Sequence, residues 1–208
     1  MIKVTNVSVM NFENAIRGMR NPLNSWDRSD SFWDVSSIDD NFILGDNDLA
    51  LAMKLANAGS DDRKFLRQIF VSVDILAPFY WWKEFDTYKV GTVANSCSTM
   101  HKIHDKEFTL ADFSWEQLDE PGLQLLEATI DYLNHNRKNF VATKDKKYWH
   151  NMIQILPTSY NQLRTVTLNY EVLRNMYHAR KHHKLQEWID LTKVIETLPY
   201  AKELICNG

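Results

Sequence analysis

The chain has 208 residues, 44% of them apolar and 12% aromatic, and a formal net charge of −3. These totals suit one domain with a real core, exclude wholesale disorder, and give no electrostatic footprint for a nucleic-acid binder. With no apolar run for a membrane span, no charged-then-apolar leader, and two cysteines (Cys97 and Cys206) far apart, the expectation is a reduced, cytoplasmic protein.

In chain order, Ile2, Val4, Val7 and Val9 alternate imperfectly with polar residues and predict a strand. A short helix follows from Phe12, and Asn21-Pro22 ends it. Residues 24–40 are polar with scattered aromatics and read as a loop. The next stretch, 45–60, is a helix that Asp46 or Asn47 can cap and that Gly59 can end in the left-handed conformation. Ile69, Val71, Val73 and Ile75 fall at period two and predict a strand that stops at Ala77-Pro78. Pro78 suits the first position of a helix running on toward Val90, with Gly91 as its break. From there the chain reads as irregular. Its small hydroxyl, amide and thiol side chains, Asn95 to Thr99, make a poor core but suit a pocket that hydrogen-bonds a polar ligand.

Residues 107–122 read as a loop. Leu123, Leu126, Ile130 and Leu133 have helical spacing, and a further helix over 144–157 closes at Pro157. Residues 160–169 predict a strand, with Leu163, Thr165 and Thr167 on one face and Arg164, Val166 and Leu168 on the other. Asn169 can cap the next helix, on which Leu173, Met176 or Tyr177, and Arg180 share a face. A last helix carries Leu185, Trp188, Ile189 and Ile195. The pattern is α+β, not alternating βαβ units.

Several chemistries have no support. There is no glycine-rich phosphate loop, no dinucleotide fingerprint and no nucleophile elbow around Ser96, Cys97 and Ser98. Cys97 with His101 or His104 reads as an unreactive cysteine before it reads as a thiolate pair. His178, His182 and His183 fit a solvated helix face better than a metal site, so no metal is expected. Arg180 has two readings of equal weight: a snorkelling or ion-paired side chain, or a guanidinium in a partly dry pocket gripping a carbonyl pair or a phosphate.

Two stretches, Ala77 to His101 and Leu156 to Ile189, resemble the flavin-dependent thymidylate synthases. In that family an Ala-Pro opens a helix carrying Arg-Gln, followed by Arg-His-Arg and then Glu-x-Ser-x-Arg-Tyr. Laid on this sequence without gaps, Ala77-Pro78 matches, the Arg-Gln falls on Lys83 and Glu84, and the Arg-His-Arg falls on Thr87, Tyr88 and Lys89. The glutamate, serine and second arginine fall on Asn95, Cys97 and Thr99. In the second stretch Asn169, Leu173, Arg180 and Gln186 match, while Glu171 replaces an arginine. Gln68 stands where the family often has a flavin-contacting histidine.

The resemblance implies a single domain over 1–208 with that family's fold, an antiparallel or mixed sheet flanked by helices. It implies FAD as cofactor, held by Gln68, Thr87, Tyr88, Lys89, Asn95 and Asn169. It also implies a pyrimidine deoxynucleotide, dUMP, held by Lys83, Glu84, Cys97, Ser98, Thr99 and Arg180. Arg180 is the implied catalytic residue, on the base carbonyl, with NADPH and methylenetetrahydrofolate as co-substrates. The departures carry chemical meaning. Lysine cannot copy a two-pronged arginine contact, and Glu84 brings a negative charge toward a would-be dianion. A changed pyrimidine substrate or reaction, or a non-catalytic nucleotide-binding or assembly module, are the alternatives. The family builds its sites between subunits of a homotetramer, which is the assembly the resemblance implies here; no nucleic-acid or membrane partner is expected.

Overall fold

The structure is a computed structural model and describes residues 2–36 and 41–207. The chain opens with β1 (Lys3–Met10) and α1 (Phe12–Met19), as the alternation and the proline predict. Two 3-10 turns lead to β2 (Phe32–Asp34) and β3 (Asn41–Ile43), an antiparallel pair with Phe32 opposite Ile43 and Trp33 opposite Phe42. β2 falls within 24–40, which reads as loop in the sequence; three-residue strands are too short for alternation to register. Residues 37–40 of that expectation lie outside the described residues.

Helix α2 (Asp46–Ala56) forms where expected, with different punctuation. Its N-cap is Gly45, and the carboxylate that serves its first turn is remote in sequence: Asp30 accepts from the N–H groups of Asn47 and Asp48 at 2.9 and 3.0 Å. A Cβ at position 45 would lie 2.3 Å from the Asp30 carboxyl carbon, so only glycine permits this approach. The helix stops at Asn57 in right-handed geometry, so Gly59 is not its left-handed cap.

A 3-10 segment, Arg63–Gln68, precedes β4 (Phe70–Pro78). Pro78 is the N-cap of α3 (Phe79–Phe85), one position earlier than its ring would favour, and the helix is shorter than predicted. Then come β5 (Val93–Ser96) and α4 (Thr99–Lys102), where irregular chain was expected. All four β5 residues are exposed, so the strand carries no apolar alternation to read. Helices α5 (Glu120–Thr143) and α6 (Lys146–Ile155) pack on each other, and β6 (Asn161–Asn169) runs into α7 (Tyr170–Arg180). The last helix, α8 (Gln186–Ile195), is followed by a π turn at Lys202–Cys206. The main sheet has the order β1-β4-β6-β5. Among the described residues no helix is long and apolar enough to cross a membrane.

The elements form two compact units that interleave in sequence. The first holds the residues to Lys3, Ile75–Thr87 and Asn95–Thr165; the second holds Val4–Asp74, Tyr88–Ala94 and the chain from Val166 onward. The core of the first unit gathers Phe108, Phe113, Leu126, Ile130, Leu133 and Met152. In the second, α7 packs on α8 and on the 3-10 segment before β4. There Phe12 meets Tyr170 edge-on at 5.4 Å, and the buried Tyr170 donates its hydroxyl to the Pro199 carbonyl at 2.7 Å.

The second unit is also organised around a buried ion pair. Asp48, fully buried, accepts from the Arg20 Nε at 2.5 Å, the Ser29 and Ser31 hydroxyls at 2.7 and 2.6 Å, and the N–H groups of Asp30 and Ser31. Burial works to raise its pKa, but the hydrogen bonds from Ser31, Ser29 and Arg20 prevail and hold it below the ordinary carboxylate value.

Candidate functional site

The expected site residues divide between the two units. In the second unit Asn169 caps α7, its side-chain oxygen accepting the Val172 N–H at 3.1 Å. The Tyr170 N–H donates to the Ile69 carbonyl at 3.0 Å, which sets where the helix starts. Gly91 closes against that cap. Its φ is +77°, and a Cβ there would lie 2.8 Å from the Asn169 Nδ2. Gly91 does not break a helix, because α3 already ends at Phe85; glycine is required there by the left-handed backbone and the approach to the asparagine.

About three turns of α7 further on, at its end, stands Arg180, half-buried. Its Nε donates to the Tyr88 hydroxyl at 3.0 Å. Its guanidinium lies 4.8 Å from the Trp188 ring centre and 5.7 Å from that of Tyr88. The two rings are 6.0 Å apart and tilted edge to face. Arg180 thus lies against aromatic rings while part of it stays exposed. Aromatic faces hold its stem and plane, which limits its rotamers and keeps its charge beside a low-dielectric surface. Two expected residues, Tyr88 and Arg180, come together here. Lys89, next to Tyr88, is exposed.

Gln68 ends the 3-10 segment before β4. Its carbonyl accepts from the Asn11 amide at 2.9 Å, and its side chain lies against Gly18, where a Cβ would meet the Oε1 at 3.0 Å. Gln68 lines an open cavity of about 1500 Å³ together with Arg20, Arg28, Lys54 and Lys64, and with the acids Asp27, Asp61 and Asp62. Arg20 is only 3% exposed, and its Nη2 has no hydrogen-bond partner. Glu171, which stands in place of a family arginine, is clamped by two arginines of the 3-10 segment. Arg63 Nε lies 3.3 Å from its Oε1, and Arg67 Nε bonds its Oε2. Burial acts to raise the Glu171 pKa, and the bonds from Arg67 and Arg63 outweigh it and lower it. Sequence reasoning could not find this clamp, because Arg63 and Arg67 lie more than a hundred positions from their partner. Of the three late histidines, His178 Nε2 lies 2.9 Å from the Ile205 carbonyl and His183 Nδ1 accepts the Leu185 N–H at 3.2 Å.

In the first unit Lys83 is exposed and Glu84 half-buried on α3. Thr87 closes that helix, donating its hydroxyl to the Glu84 carbonyl at 2.7 Å. Asn95 lies exposed on β5. Cys97 is exposed at its thiol but fixed in its backbone: its N–H donates to the Leu163 carbonyl at 2.9 Å, and its carbonyl accepts from the Gln162 amide at 2.8 Å. Ser98 is the N-cap of α4, accepting the His101 N–H at 3.2 Å, and Thr99 is the first helical residue. The run from Cys97 to Thr99 is therefore a pinned turn and not loose chain.

One residue of this neighbourhood was not singled out in the sequence. Arg164 of β6 donates from Nε to the Gln162 Oε1 at 2.9 Å and from Nη1 to Asp86 at 2.8 Å, with its guanidinium 4.3 Å from the Trp82 ring centre. The signal that could have found it is an arginine sharing a strand face with Val166 and Leu168, where a cation needs a reason.

No family model matches the sequence, and no curated protein matches it. Solved structures do. Thymidylate synthase ThyX from Helicobacter pylori, crystallised with FAD and dUMP, superposes with a TM-score of 0.71 at 17% identity, over 99% of this chain and 97% of that one. PolB from Streptomyces cacaoi, a UMP/dUMP methylase crystallised with 5-bromo-dUMP, superposes with a TM-score of 0.60 at 13% identity, over 95% and 89% of the two chains. The fold is that of the flavin-dependent thymidylate synthases, as the two sequence stretches implied.

Proposed function

We propose that this chain is a flavin-dependent enzyme that methylates a pyrimidine deoxynucleotide, dUMP first among them. FAD would be its bound cofactor, with NADPH and methylenetetrahydrofolate as co-substrates, and it would work in the cytoplasm as a homotetramer. The observation that carries this reading is the aromatic-backed guanidinium of Arg180, at the end of the helix that the capping asparagine Asn169 begins, in a chain with this fold. FAD suits the residues present. The cavity beside Gln68 has the cations Arg28, Lys54 and Lys64 in its wall, with Asp27, Asp61 and Asp62 among them, and those cations are what the cofactor's phosphates would meet.

FAD, once bound and reduced by NADPH, would supply the hydride, so the protein needs no nucleophile of its own. Its own groups bind and orient. Arg180 stabilises negative charge that develops on the base carbonyl, and Tyr88 and Trp188 keep it aimed. Gln68, Thr87, Tyr88, Lys89, Asn95 and Asn169 hold the cofactor. Lys83 and Glu84 stand beside the nucleotide, and Cys97, Ser98 and Thr99, in the run from Asn95, hold its sugar and phosphate through small side chains and the N–H groups that follow the Leu163-bonded one of Cys97.

The half-buried carboxylate of Glu84 favours a second reading on the same fold. An acceptor there, with Asn95 and Cys97, changes the hydrogen-bond code toward a base with a donor edge, such as cytosine. The deciding experiment is the absorption spectrum of the purified protein, followed by identification of what it releases on denaturation and calorimetry with dUMP and dCMP. Flavin bands and tighter binding of dUMP are expected. A colourless protein that takes up no FAD on titration sinks the flavin reading, and preference for dCMP moves the substrate to the second.

A further inference from the structure

We propose that Arg164 is a positioning residue for the turn Cys97–Thr99 and acts on it through Gln162. The inference rests on the reading of that turn as the nucleotide-binding run and assigns what holds it in shape. Five contacts within the first unit carry it. Asp86 accepts from the Arg164 Nη1 at 2.8 Å, and the Trp82 ring lies under the guanidinium at 4.3 Å, so the side chain has one orientation. Its Nε donates to the Gln162 Oε1 at 2.9 Å. That bond decides which way the Gln162 amide faces: with Oε1 engaged, Nε2 is turned to the Cys97 carbonyl and donates to it at 2.8 Å. The backbone of Leu163, between the two side chains, takes the Cys97 N–H at 2.9 Å.

Cys97 is thus tied to β6 on both its N–H and its carbonyl, directly ahead of the Ser98 cap and of Thr99. Gln162 is 8% exposed and the Arg164 side chain 15%, so water competes weakly for these bonds. A flipped Gln162 amide would set a carbonyl oxygen against the Cys97 carbonyl oxygen, and Arg164, which has donors only, prevents it. Thr99 provides no charge at a position where the resembling family has an arginine, so shape must do more of the work of binding.

Three variants test this: Arg164→Met, which keeps the stem on Trp82; Gln162→Glu, which keeps the Arg164 contact but cannot donate to Cys97; and Arg164→Lys, which keeps charge for Asp86 but lacks the fork. The first readout needs no ligand. Hydrogen exchange of the Cys97 and Ser98 amides, and the rate at which an aromatic disulfide reagent modifies the Cys97 thiol, report the turn itself. Arg164→Met and Gln162→Glu are each expected to speed both by about tenfold, with the α5–α6 amides unchanged and Arg164→Lys rescuing little. The second readout is dUMP affinity, expected to fall by a similar factor while FAD uptake stays as in the unsubstituted protein. The positioning role is overturned if the Cys97 amide is as protected in Arg164→Met and Gln162→Glu as before, or if exchange rises evenly across the unit. It is also overturned if the turn loosens while dUMP affinity holds. If the unsubstituted protein binds no nucleotide, the substrate reading falls, and the exchange measurements still decide whether Arg164 orders the turn.

Discussion

An arginine backed by two aromatic rings is a costly way to fill a helix end, and its value lies in keeping one charge in one place. Arg180 loses little rotamer freedom on binding a carbonyl, because Tyr88 and Trp188 have already restricted it. Arg180→Ala is therefore expected to lower turnover about a hundredfold, as loss of one preorganised donor to a developing oxyanion does, with modest change in flavin content. An unchanged rate in single-turnover assays removes Arg180 from the chemistry. Asp48 is the structural counterpart. With Arg20 beside it and no exposure, Asp48→Asn leaves the guanidinium unbalanced and is expected to cost about 3–5 kcal/mol in urea unfolding. The sign of its pH effect follows from the lowered pKa. The folded carboxyl gives up its proton more readily than the unfolded one, so its contribution is present above the unfolded value of 3.8. It is lost as the pH falls through the lower folded value, and Asp48→Asn should lack that acid arm. An Asp48→Asn protein with the same acid-unfolding curve as the parent contradicts the assignment.

At the scale of elements, the start of α7 and the end of the loop after α3 depend on each other. Asn169 bonds the first turn of α7 through its oxygen, and its nitrogen occupies the space a side chain at position 91 would need. Asn169→Ala should cost about 0.5–2 kcal/mol, the usual range for a lost cap. Gly91→Ala should cost about 1–2 kcal/mol for the left-handed backbone alone, and more if Asn169 has to move. Because both act on one contact, the double variant should cost less than the sum of the two, and strict additivity in denaturant titrations removes the coupling. This pair also shows what was legible in the sequence. The asparagine before an apolar helix face announced the cap; the glycine announced a turn but misplaced the end of α3, which stops at Phe85. That each conditions the other could not be read, because about eighty positions separate them.

For the whole molecule, the proposed assembly gives the remaining test: light scattering of the purified protein should return four times the monomer mass of 24.4 kDa. A monomer would leave the shared-site arrangement without support. Length, apolar content and the order of periodic segments sufficed for the fold class. Strands at period two, helices at period 3.6 and the prolines and asparagine between them are local signals, and β1, β4, β6, α7 and α8 formed where those signals lay. The same local signals placed Arg180 at the end of the helix that buries Leu173 and Met176. Tertiary structure alone decided the rest: that exposed Val93–Ser96 is a strand, that Asp30 and not Asp46 serves the start of α2, that Glu171 answers Arg63 and Arg67, and that Arg164 reaches Cys97 through Gln162. Each of these is a bond between groups far apart along the chain. A sequence records the chemical valence of such groups, but which donor meets which acceptor is settled only when the fold brings them within about 3 Å.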